Sequence, residues 1–323
     1  MFLARKLAAG GSVALGFGNY VSQLIPAIPQ RPAAVGAVLV LAAANFFGIK
    51  KAGRLNMAIV SVTLLTLLYF VIAGIPHFSA ANLEPFAPQG WRGVAEAAAL
   101  LFLAYTGYAR IATLGEEVRE PKRTIPRAVI ITIILSAVLY LVVAAVAIGA
   151  VGSEAMAQSR SPLQRAAQEF SLPGVALLTG VGATTAMLGV LLSQFLGISR
   201  MMFAMARRSD LPRFLERIHP THDVPHLGIF LTAFIILLLS VFGTLQVVVS
   251  AAAFTILLYY SITNIAAFRM ASEDKLFPDW IPLVGLISCL LLAFSLKPAT
   301  IATGLGLLAV GFALRWLVHR LNS

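Results

Sequence analysis

The strongest constraint on this chain is a run of ten apolar stretches, one after another, with only short polar segments between most of them. They occupy residues 7–25, 33–48, 56–75, 94–114 and 128–151 in the first half, and 174–205, 226–242, 245–268, 281–296 and 299–318 in the second. A helix needs about 20 mostly apolar residues to cross the hydrocarbon of a bilayer. No water is present there, so backbone amides and carbonyls must be satisfied within a helix or around a closed barrel. These stretches are continuous rather than alternating, which points to helices. The sequence therefore predicts an all-α polytopic membrane protein with about ten transmembrane helices. The sixth stretch is long enough to continue as a helix beyond the bilayer.

Composition and charge agree with this reading. Of the 323 residues 59% are hydrophobic and 11% charged, whereas soluble domains carry about 25% charged residues. The net charge of +11 does not indicate nucleic acid, because the basic residues sit in short loops between apolar stretches. With both termini cytoplasmic, eighteen of the 24 Lys and Arg residues fall on the inner side. Arg31, Arg92, Arg160, Arg165 and Lys297 are the five on the outer side, and Arg110 falls within a span. An inner excess of this size is what orientation by positive charge requires. The expected location is the cell membrane, with the lipid bilayer as partner and no nucleic acid. The one cysteine, Cys289, allows no disulfide within a single chain. No cleavage-like site follows the first apolar stretch, so no signal peptide is expected.

The chemistry is concentrated in residues 101–127, LFLAYTGYARIATLGEEVREPKRTIPR. An apolar helix is interrupted at Thr106 and Gly107, resumes through Tyr108, and leaves the membrane at Glu116 and Glu117. It then turns at a basic, proline-bounded loop, EPKRTIP. Glycine weakens a helix, and groups freed in mid-span survive only where they line a polar cavity or meet a ligand. Ala104, Tyr105 and Tyr108 would flank such a break. Arg110 is costly inside a span and keeps its charge, so it carries no proton; snorkelling to the near interface is the plain alternative. Glu116 and Glu117 end a helix, where negative charge is unfavourable, and would pair with Arg119 and Arg123 as a clasp or inner gate. Thr184 and Thr185 could offer hydroxyls to an ion or substrate, although bonding back to their own helix is commoner. His219, His222 and His226 are irregularly spaced with two prolines between them, and read as a solvated loop rather than a metal site. No hydrolase, nucleotide-binding or metalloprotease motif occurs. No catalytic residue, cofactor or metal is expected.

These motifs carry a resemblance. AYTGY with IATLGEEVREPKRTIPRA resembles the sixth transmembrane helix and following loop of the amino acid–polyamine–organocation (APC) superfamily of permeases. Residues 199–226, SRMMFAMARRSDLPRFLERIHPTHDVPH, are similar to the loop after that family's eighth helix. Residues 257–270, LLYYSITNIAAFRM, are similar to the end of its tenth. The resemblance implies a LeuT-type fold, an inverted repeat of five plus five helices with two more at the end. It also implies an amino acid carrier, a uniporter, antiporter or proton symporter, whose substrate meets the free backbone groups around residues 104–108. In some members a lysine in the fifth helix takes the place of a sodium ion. Aligning residues 54–65 with that helix sets Thr63 there, which puts lysine-based coupling in doubt.

The interruption belongs to the family's sixth helix and falls here in the fourth span. The expectation is a single permease domain, residues 1–323, matching family helices three to twelve and incomplete at the N-terminus. The glycine-rich residues 10–19 also resemble the family's first helix, but only two spans separate them from the break, where the family has four. A truncated remnant, or a subunit needing a partner, is the alternative to a working carrier.

Overall fold

The computed structural model describes residues 2–47, 52–107, 118, 120–271, 273 and 275–322. Eleven α-helices appear among them: α1 (Phe2–Leu24), α2 (Gln30–Phe46), α3 (Ala52–Gly74), α4 (Gly90–Leu101), α5 (Pro121–Gln158), α6 (Pro162–Ala167), α7 (Val175–Arg207), α8 (His226–Phe242), α9 (Leu245–Phe268), α10 (Trp280–Ser295) and α11 (Pro298–Asn322). No strand occurs among the described residues. Apart from the short α6, every helix coincides with one of the ten apolar stretches. Two of them, α8 and α9, share the stretches' bounds.

By length and apolar composition alone, α3 with its following turn, α5, α7 and α9 can each cross a membrane. The α8 helix is apolar but shorter, and α10 and α11 meet at a bend of 113°. At 33 residues α7 outruns the hydrocarbon, as its sequence led one to expect. Large apolar side chains stay outward on several helices, including Leu65, Leu135 and Leu141. An aqueous surface would not tolerate so continuous an apolar exterior, and lipid does.

Helix α1 is the hub, packing on α2, α7, α8 and α9. Its Ala14 joins Ala34, Val38, Leu191, Phe195 and Ile236 in one buried cluster. Half of its buried residues are alanine, because no hydrophobic force drives helices together in lipid, and close van der Waals packing has to do so. A second cluster sets Phe70 of α3 and Val146 of α5 against Phe170. A third sets Phe254 and Leu257 of α9 against Cys289 and Ala293 of α10 and Ala99 of α4.

The loop expected at EPKRTIP is different in the structure. Glu120 takes a left-handed φ of 49° and makes the turn, and Pro121 already begins α5. Proline suits the first helical position, since its missing N–H would have had no helical partner there. At the other end Gly152, φ 82°, interrupts α5 near the limit set by the apolar stretch, leaving a short helical extension to Gln158. Backbone and side-chain hydrogen bonds then tie the segments on this side together. Ser79 N–H and Asn82 Nδ2 both donate to the Gly149 carbonyl, at 2.9 and 2.8 Å. His77 Nδ1 lies 3.3 Å from the Ala73 carbonyl, and its Nε2 accepts from Ser171 N–H at 3.3 Å.

Candidate functional site

The α-helical geometry of α4 stops at Leu101. From residue 102 to 107 the backbone tightens into a 3-10 helix. In such a turn hydrogen bonds reach three residues instead of four, their geometry is poorer, and long runs are uncommon. The sequence LAYTG explains the change: Thr106 is β-branched, and its Oγ1 donates to the Leu103 carbonyl at 2.9 Å. The expected break at Thr106 and Gly107 thus coincides with a change of helix type that starts four residues earlier.

Three elements surround this segment. Leu103 packs on a buried cluster of Ala8 and Leu15 from α1 and Val248 and Ala252 from α9. The Phe102 ring meets Tyr260 of α9 edge-on, centroids 5.4 Å apart. From α5, Tyr140 sets its ring 5.3 Å from Tyr105 and its hydroxyl donates to the Ala104 carbonyl at 3.4 Å. A Cβ built at Gly107 would meet no atom of the described residues within 4 Å. Ala104 and Gly107 are exposed, and Tyr105 and Thr106 half-buried. Tyr140 was not singled out from sequence. Its signal is a phenol in the middle of an otherwise aliphatic span, VLYLVV, where a hydroxyl needs a partner.

The threonine candidates sit elsewhere, where α3 meets α7. A Cβ on Gly182 would stand 2.6 Å from Thr66 Cγ2, and one on Gly189 2.8 Å from Ile59 Cγ2. The two helices therefore touch through glycines seven residues apart, against α3 residues seven apart. Thr63 lies between Ile59 and Thr66 on the same face of α3, and Thr185 between Gly182 and Gly189 on α7. Both are half-buried. Their hydroxyls bond back along their own helices: Thr63 to the Ile59 carbonyl at 2.8 Å, Thr185 to the Val181 and Gly182 carbonyls, and Thr184 to Val181 at 2.9 Å. Helix α1 packs on α7, which carries Thr185, and on α9, which packs on the 3-10 segment.

Tyr108, Arg110, Glu116, Glu117 and Arg119 lie outside the described residues. Of the expected clasp only Arg123 is described, exposed on the first turn of α5. The histidine loop is solvated at Pro220, Thr221 and Asp223, while the three histidines themselves are half-buried. His219 and His222 stack at 4.9 Å, His226 meets His219 edge-on at 5.5 Å, and Phe46 of α2 touches both His219 and His222. The rings are packed because aromatic faces on α2 and α8 offer them a partner.

Residues 6–313 match the family model described as amino acid permease. An uncharacterized transporter of Mycobacterium bovis is 37% identical over 314 residues, 97% of this chain and 70% of that protein. A methylthioribose transporter of Bacillus subtilis is 31% identical over 92% of this chain and 66% of its own length. A branched-chain amino acid permease of the same organism is 27% identical over 86% of this chain and 62% of its own.

Proposed function

Because this chain belongs to the amino acid permease family, a family of multi-pass membrane transporters with the LeuT-type helical fold, we propose that it is a secondary carrier that moves an amino acid across the cell membrane by alternating access. The whole chain, residues 1–323, acts as one permease domain with both termini in the cytoplasm. The observation that carries this reading is the 3-10 segment at 102–107 inside an apolar span. Irregular backbone in a membrane helix is sustained where it meets a polar ligand, and broken helices of this kind hold the substrates of many carriers.

In this reading Ala104, Tyr105, Thr106, Gly107 and Tyr108 meet the amino and carboxylate groups of the substrate through free backbone amides and carbonyls. Arg110 supplies a fixed positive charge next to them. Thr63 on α3 and Thr185 on α7, with Thr184 next to it, take part in coupling. Glu116 and Glu117 latch onto Arg119 and Arg123 to close the inner side. Two of the relatives are named for a branched-chain amino acid and for methylthioribose, so the substrate test includes both.

The test is uptake into proteoliposomes. Saturable, competable uptake of a labelled amino acid is expected. Stimulation by an inward proton gradient identifies symport, and a requirement for amino acid inside identifies exchange. Uptake of methylthioribose with no amino acid taken up, or no saturable uptake of any of these compounds by correctly folded protein, overturns the reading.

A further inference from the structure

Where α4 begins, it faces the turn between α10 and α11 across a cleft of about 250 Å³. Gln89, Arg92, Gly93, Glu96, Ser295 and Lys297 line it. Arg92 and Glu96 are one helical turn apart on α4, and Lys297 Nζ stands 3.7 Å from Glu96 Oε1. That separation is long for an ion pair, and the Lys297 side chain stays 62% exposed, so its ammonium keeps donors to spare. Arg92 is exposed and forms no ion pair among the described residues. Two cations against one carboxylate leave the cleft with one uncompensated positive charge. Gly93 keeps its floor low: a Cβ there would stand 2.7 Å from Gln89 Cβ.

Aromatic side chains sit beside this charge in sequence. Phe86 is 79% exposed, Trp91 77% and Phe294 65%. An exposed tryptophan next to arginine and lysine at the end of a span is the signature of headgroup depth, where apolar rings enter the lipid and cations reach the phosphates. A soluble anion would gain nothing from those rings, whereas a lipid would bury them with its glycerol backbone and upper acyl chain. Guanidinium and ammonium together suit a phosphodiester oxygen pair, and the net single charge suits a lipid of net charge −1.

We propose that this cleft binds the phosphodiester headgroup of an anionic phospholipid of the phosphatidylglycerol type, held by Arg92 and Lys297. The lipid bridges the start of α4 to the α10–α11 turn.

Native mass spectrometry of the purified full chain tests this, with phosphatidylglycerol, phosphatidylethanolamine or inorganic phosphate added. The wild-type protein should retain one phosphatidylglycerol in preference to phosphatidylethanolamine. Arg92→Gln/Lys297→Gln should lose that preference, with at least about a tenfold weaker affinity, or roughly 1.4 kcal/mol. Arg160→Gln, which removes a positive charge elsewhere on the same side, should retain it. Elution as a single species by size exclusion, together with an unchanged thermal transition in detergent, identifies a folded variant, and Arg92→Gln alone replaces the pair where the double variant fails that check. Equal lipid retention by the Arg92 variant and the wild type overturns the assignment. So does an equal loss in Arg160→Gln, or protection against thermal unfolding by inorganic phosphate as strong as that by the lipid.

Discussion

At the scale of single residues, the 3-10 segment gives two predictions. Among the described residues none stands where a side chain at Gly107 would be, so none of them excludes a bulky residue there. Gly107→Leu would strengthen the helix across the interruption and occupy the proposed substrate space. Uptake should fall by at least about tenfold, equal to about 1.4 kcal/mol, while the amount of protein in the membrane is unchanged, since insertion follows span hydrophobicity and loop charge. Normal uptake by this variant would return Gly107 to a spectator. Tyr140→Phe probes the support of the same segment. It keeps the ring against Tyr105 and removes only the hydroxyl that donates to the Ala104 carbonyl. Losing one such bond costs about 0.5–1.5 kcal/mol. We expect a several-fold rise in KM with little change in maximal rate, and unchanged KM would show that the hydroxyl does not shape the site.

At the scale of elements, the α3–α7 contact depends on glycine at two points one heptad apart. Gly189→Ala places a methyl 2.8 Å from Ile59 Cγ2, too close to be accepted without a shift. Overpacking of this sort costs about 1–3 kcal/mol and should lower the thermal transition measured in detergent. Ile59→Ala removes that atom and leaves only Cβ, at 3.6 Å from the added methyl. The double variant should therefore be more stable than the two single effects summed, which is the sign of direct contact. Strict additivity would mean that the helices are not apposed there. The glycine spacing on α7 is readable from the sequence. Its partner helix is not, because either face of an apolar helix can be offered to any neighbour in lipid.

For the whole molecule, the charge asymmetry makes orientation testable with a single reporter. Cys289 is the only cysteine, so a Cys289→Ala background carries no thiol. In that background Arg160→Cys should react with a membrane-impermeant thiol reagent in intact cells, and Arg208→Cys only after permeabilisation. Both positions are exposed at helix ends. The reverse pattern would invert the topology. The ten apolar stretches, the helix ends near Phe242, Leu245 and Phe268, and the membership in a transporter family were all determined by sequence alone, because length, hydropathy and local motifs are properties of neighbours along the chain. The helical start of α5 at Pro121 reads as loop in the sequence, since proline breaks a helix in its interior yet suits its first turn. Only the tertiary structure decided that Tyr140 reaches the Ala104 carbonyl, that the faces of α3 and α7 carrying Thr63 and Thr185 meet, and that Arg92 and Lys297 line one cleft. Those residues are tens to hundreds of positions apart. Apolar helices of similar composition carry no local record of which neighbour each will meet; packing shape, settled by small residues at the crossings, makes that choice.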